Sequence, residues 1–104
     1  MKPIEGLQLG KKLEALLRGK GFPVRNVLLF GSVARGETGE DSDIDMAIIC
    51  DPFLPTRHDE NVAFLRASKE IDLRIETVCL HPEDFDNTYS TLVQEVKRDG
   101  IAMS

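Results

Sequence analysis

The sequence predicts a small α/β (α+β) domain, a mixed β-sheet with helices packed against it. Two observations carry that prediction. Apolar runs of strand length alternate with segments whose apolar residues recur at helical spacing, in the order α-β-(α)-β-α-β-α(-β). A chain of 104 residues can bury one hydrophobic core but not two, so residues 1–104 read as a single domain.

The elements follow in order. Leu9, Leu13, Leu16 and Leu17 share one face, with Lys11, Lys12, Glu14 and Arg18 on the other, which predicts a helix from Gly6 to Gly19. Lys20-Gly21 supplies a basic last turn and a glycine stop, and Pro23 bars continuation. Val24 to Phe30 is apolar enough for a central strand. Ser32 to Arg35 suits one helical turn, Gly36 to Ser42 a loop, and Asp43 to Cys50 a second strand. Too few residues separate the two strands for a full crossover helix, which leaves antiparallel and parallel pairing both open. Asp51 to Thr56 is a loop stiffened by two prolines. Asp59 or Asn61 can cap the next helix, which reaches about Ile71 with Phe64, Leu65, Ser68 and Ile71 inward. Asp72 to Leu80 alternates polar and apolar residues, as a third strand with Asp72, Arg74 and Glu76 on one open face. Pro82 to Phe85 opens a turn. Tyr89, Leu92, Val93 and Val96 form a last helical stripe ended by Gly100, and Ile101 to Met103 suit an edge strand.

Composition narrows the function. A formal net charge of −5 argues against a protein that coats nucleic acid, because phosphate binding wants a surplus of Lys and Arg. Met1-Lys2-Pro3-Ile4-Glu5 lacks the apolar segment of a signal peptide, and no run is long enough to cross a bilayer. A cytoplasmic protein with no membrane partner is expected. Cys50 and Cys79 have no CxxC spacing and are expected to be buried free thiols rather than a disulfide. His58 and His81 stand beside loops with no partner at metal-ligand spacing and read as surface residues.

The chemistry concentrates between Leu28 and Ile49. The apolar run Val27-Leu28-Leu29-Phe30 stops at Gly31-Ser32, which offers backbone N–H groups and a hydroxyl suited to phosphate. After the loop, Asp43-Ile44-Asp45 opens the second strand. Strand alternation turns Asp43 and Asp45 the same way, and two adjacent carboxylates call for a cation. A divalent metal with oxygen ligands is the natural neutraliser. A phosphate cradle beside such a pair reads as phosphoryl or nucleotidyl transfer. Arg35 reads equally as a phosphate or partner contact and as a surface ion pair with Glu37 or Asp41.

The run Phe30-Gly31-Ser32-Val33-Ala34-Arg35-Gly36, followed by Ser42-Asp43-Ile44-Asp45, resembles the signature of the DNA polymerase beta-like nucleotidyltransferase superfamily. In particular it resembles the minimal nucleotidyltransferase (MNT) branch. The resemblance extends from Val27 to about Phe85. It implies the polymerase-beta-like nucleotidyltransferase fold, with Gly31 and Ser32 holding a nucleotide's phosphates together with Asp43 and Asp45. Asp43 and Asp45 would ligate two Mg2+ ions. A third carboxylate on a later strand would complete the catalytic and metal-binding set. Glu76 is preferred for it and Asp72 is the competitor. The implied reaction moves a nucleoside monophosphate from an NTP, with ATP the favoured substrate, to a hydroxyl acceptor. MNT proteins are often paired with HEPN proteins, some as antitoxins that modify the toxin, so a HEPN-type partner or a second copy of the chain is expected to supply the acceptor grip. The alternative is a non-catalytic module that keeps the fold and binds a partner.

Overall fold

In the computed structural model, residues 1–37 and 43–103 are described. Most of the predicted loop, including Gly39, Asp41 and Ser42, lies outside the described residues. The chain forms α1 (Pro3–Gly19), β1 (Val24–Phe30), α2 (Gly31–Arg35), β2 (Ile44–Cys50), α3 (Arg57–Ser68), β3 (Ile75–Leu80), a 3-10 turn (Pro82–Asp86), α4 (Thr91–Asp99) and β4 (Ile101–Ala102).

The sheet order is β3-β2-β1-β4. β1 runs antiparallel to both β2 and β4, while β2 and β3 are parallel. This settles the pairing that the sequence left open. A helix as short as α2 serves as a corner between antiparallel neighbours, whereas α3 is long enough to carry the chain back for a parallel strand.

Alternation divides the side chains of β2 between two cores. Ile44, Met46, Ile48 and Cys50 face α1 and α3, meeting Leu13, Leu17 and Phe64 in the larger cluster. Ala47 and Ile49 face α4, meeting Leu80, Val93 and Val96. Asp45 and Glu76 fall on the α4 side by the same alternation.

Several boundaries differ from the sequence reading. The cap of α3 is Thr56, whose hydroxyl accepts from the Asp59 N–H at 3.1 Å. Asp59 sits in the first turn, where an acid is favoured by the helix dipole. α4 is capped by Ser90, which leaves Tyr89 outside the helix and 95% exposed instead of on the inner stripe. β3 starts at Ile75, not Asp72, because Asp72 and Arg74 fold onto each other ahead of it.

Side chains cover the outer rim of β3. Lys69 Nζ donates to the Ile75 carbonyl at 2.6 Å, Asn61 Oδ1 accepts from the Cys79 N–H at 2.8 Å, and Arg57 reaches the Cys79 carbonyl at 3.4 Å. The opposite rim, β4, is two residues long. Among the described residues no helix is long and apolar enough to cross a membrane.

Candidate active site

Strand register assembles the residues singled out above. Phe30, the last residue of β1, pairs with Asp45, and Asp45 pairs in turn with Glu76. The turn at Gly31, the Asp45 carboxylate and the Glu76 carboxylate therefore stand side by side at one end of the sheet. Asp43 lies just before β2 and is exposed.

Gly31 has a φ of +72°, a left-handed conformation that glycine adopts without strain. It is also buried against the acid. A Cβ built on Gly31 would collide with Asp45 Oδ2 and lie 3.2 Å from Asp45 Cγ. Glycine is thus required twice, for the turn and for the close approach of backbone to carboxylate. Ser32 follows in the first turn of α2, which no side chain caps.

The electrostatics centre on Asp45. Burial pushes its carboxyl above the usual carboxylate range, and the charges of Asp43, Glu95 and Glu76 push it further. Arg35 offsets part of this. Glu95, on α4, was not singled out in the sequence. Its place depends on how α4 packs over the sheet, and the only sequence signal is its i,i+4 spacing from Asp99. Arg35 ties this side together: it pairs with Glu37 at 3.0 Å, Asp99 at 2.8 Å and Glu95 at 3.8 Å. The other pairing considered for Arg35, with Asp41, lies outside the described residues.

The two candidates for the third acid have different surroundings. Asp72 accepts from the Arg74 guanidinium at 3.0 and 2.8 Å and from the Arg74 N–H at 2.8 Å. Those bonds hold its carboxyl down to about 2. Glu76 is half exposed, in register with Asp45, and 3.7 Å from Lys69 Nζ. Glu76, not Asp72, adjoins Asp45.

These acids are hard oxygen donors, the chemistry that a divalent ion such as Mg2+ prefers. A bound cation would offset the repulsion that Asp43, Glu95 and Glu76 exert on the buried Asp45 carboxylate. The carboxylates are neighbours but are not drawn into one tight shell. Among the described residues, the group of three potential ligands whose atoms all lie within 4.8 Å is Cys50, Cys79 and His81.

That second cluster is a buried network on the other side of the sheet. His81 is 8% exposed and Glu60 1% exposed, so His81 is not the surface residue expected from its neighbours in sequence. His81 Nε2 lies 2.7 Å from Glu60 Oε1, and Arg57 donates to His81 Nδ1 at 2.8 Å. A guanidinium only donates, so Nδ1 is the acceptor and the imidazole proton sits on Nε2, facing Glu60. Burial opposes ionisation of Glu60, yet the Phe53 N–H, His81 and the Leu54 N–H bring its carboxyl below the usual range. Cys50 and Cys79 are free and buried, as expected.

The model of the nucleotidyltransferase domain family matches residues 9–100. A search of curated proteins found no match. Among solved structures, a candidate nucleotidyltransferase from Sulfolobus solfataricus is similar, with 22% identity and a TM-score of 0.65, covering 96% of this chain and 80% of that one. A toxin–antitoxin complex with AMP-PNP contains a similar chain, at 23% identity and a TM-score of 0.62, covering 89% and 70%. So does the complex of tri-AMPylated Shewanella oneidensis HEPN toxin with MNT antitoxin, at 23% identity and a TM-score of 0.59, covering 94% and 71%. With the family match spanning most of its length and the shared fold beneath it, the chain belongs to the nucleotidyltransferase domain family.

Proposed function

We propose that this protein is a Mg2+-dependent nucleotidyltransferase that moves a nucleoside monophosphate from an NTP, ATP being the favoured donor, to a hydroxyl on a HEPN-type partner protein. The observation that carries the reading is the contact between Gly31 and Asp45. A glycine turn suited to phosphate presses on a carboxylate whose own neighbours, Asp43 and Glu76, are acids. The chains similar in fold come from a toxin–antitoxin complex with AMP-PNP and from a complex of a tri-AMPylated HEPN toxin with an MNT antitoxin, which supports the choice of nucleotide and acceptor.

In this mechanism the backbone at Gly31–Ser32 and the Ser32 hydroxyl bind the triphosphate and hold the leaving pyrophosphate in place. Asp43, Asp45 and Glu76 would hold two Mg2+ ions. When bound, these ions neutralise charge on the phosphates and lower the pKa of the acceptor hydroxyl. The acids adjoin the phosphate turn, and the acceptor approaches from the half-exposed Glu76 side. Glu76, half exposed, is also placed to take the hydroxyl proton. The reaction rests on positioning and electrostatics rather than on a covalent intermediate.

The test is incubation with labelled NTPs, Mg2+ and the co-purifying partner. Label transferred to the partner by the wild type, and lost in Asp43→Asn and Asp45→Asn, is the expected result. Partner binding without transfer, unchanged in both variants, would favour the non-catalytic module instead.

A further inference from the structure

We propose that Cys50 and Cys79 form a thiol–disulfide exchange site, which takes a low-molecular-weight disulfide as co-reactant and closes a reversible bond between β2 and β3. The two sulfurs lie 3.2 Å apart inside the sheet's α1/α3 face. Cys79 pairs with Ile48, so Cys50 meets it on the diagonal, from the last residue of β2. The register of β2 with β1 shifts at that end, and the strand leads directly into a loop. A disulfide of about 2.05 Å therefore asks for an approach of little more than 1 Å, at the end of β2 best able to yield.

Two further features favour exchange within this pair. The Cys79 thiol hydrogen-bonds Cys50 and pulls the Cys50 thiol below the usual range, while the same contact and burial push Cys79 up, so Cys50 is the attacking sulfur. Glu60 Oε1 stands 3.9 Å from Cys79 Sγ, a buried carboxylate that can receive the proton of the resolving thiol. Both sulfurs lie in the core, so a small disulfide reaches Cys50 when the end of β2 opens.

A metal is the other chemistry that two thiols and a histidine suggest. Here the imidazole is already committed, with Nδ1 accepting from Arg57 and the Nε2 proton directed to Glu60. Arg57 supplies the positive charge that an ion would bring. Neither ring nitrogen keeps a lone pair for a metal shared with the sulfurs.

The exchange balances as follows. Cys50, as thiolate, attacks one sulfur of R–S–S–R. The other sulfur departs with the bonding pair as R–S⁻ and takes up the proton Cys50 released. Cys79 then gives its proton to Glu60 and attacks the Cys50 sulfur of the mixed disulfide. The second R–S⁻ leaves and takes up that proton. Two protein thiols are oxidised and one small disulfide is reduced to two thiols; excess R–S–H reverses both steps.

The experiment exposes the native protein to oxidised glutathione at graded ratios to reduced glutathione. Acid quenching, alkylation under denaturing conditions and intact-mass measurement follow. The expected product is about 2 Da lighter, takes up no alkylating agent, maps to a Cys50–Cys79 cross-link and returns to the dithiol with reductant. Folded Cys79→Ser protein should stop at a glutathione adduct on Cys50, and Cys50→Ser should stay unmodified. The wild-type result decides even if neither variant folds. The proposal is overturned if both thiols remain alkylatable at every ratio, if only intermolecular cross-links form, or if metal analysis finds zinc held by the two sulfurs.

Discussion

At Gly31 two constraints coincide, a positive φ and the Asp45 carboxylate filling the space a Cβ would need. Gly31→Ala should lower stability by about 1–3 kcal/mol in urea unfolding, and should reduce nucleotide transfer further than the stability loss explains. Asp45→Asn should have the opposite effect on the metal-free protein. The Asp45 carboxyl titrates higher folded than unfolded, so the folded state holds the extra proton, and stability falls as pH rises through that titration. Removing the charge should raise the metal-free melting temperature near neutral pH; Mg2+ should stabilise the wild type and leave Asp45→Asn unchanged. At the third acid, Glu76→Gln should abolish transfer while Asp72→Asn leaves its rate unchanged in folded protein. The approach of the Gly31 turn to Asp45 was legible because the relation is local, two motifs on either side of one turn. Glu76 against Asp72 was not, because alternation cannot reveal that Arg74 has folded back onto Asp72. Glu95 and the burial of His81 were illegible for a related reason: both depend on how distant elements pack.

The elements themselves were mostly legible, and the misreadings fall at their ends. Three residues near the start of α3 could each serve as its cap, and the backbone decides among them. Thr56 has the extended conformation, with φ −133° and ψ 156°, that lets its hydroxyl reach back into the first turn. Asn61, a rejected candidate, instead bonds the Cys79 N–H and fastens α3 to β3. Thr56→Ala should therefore lower stability by about 1 kcal/mol, measured by chemical denaturation, without altering transfer. The contrast between α2 and α3 has the same origin. Length separates an element that turns a corner from one that recrosses the sheet, and the polarity of β1 and β2 follows from it. On α1, Gly6 and Gly10 were passed over as helix interior, yet a Cβ on Gly6 would lie 2.9 Å from both Leu29 and Val33. The small size of Gly6 lets α1 lie close on the β1–α2 corner that carries the candidate site, and that of Gly10 makes room for Met103.

For the whole molecule, acid is the expected weakness. The carboxyls of Asp72, Asp84 and Glu60 all titrate lower in the fold than in the unfolded chain, because guanidinium, imidazole or backbone N–H groups hold the ionised forms. Stability from such groups is fully present above their unfolded range, near pH 4, and is lost as pH falls toward about 2. Thermal melts across that window should show a steep loss, and Asp72→Asn should flatten it. As pH rises through the Asp45 titration, the raised Asp45 carboxyl acts the other way and the metal-free protein loses stability. The covered rim of β3 and the two-residue β4 carry a different consequence. With α3 side chains already bonded to Ile75 and Cys79 on one border, and so little strand on the other, the sheet offers poor purchase for an added strand. The protein should resist growing into fibrils through its own sheet, and a partner must read its side-chain surfaces instead of extending its backbone ladder.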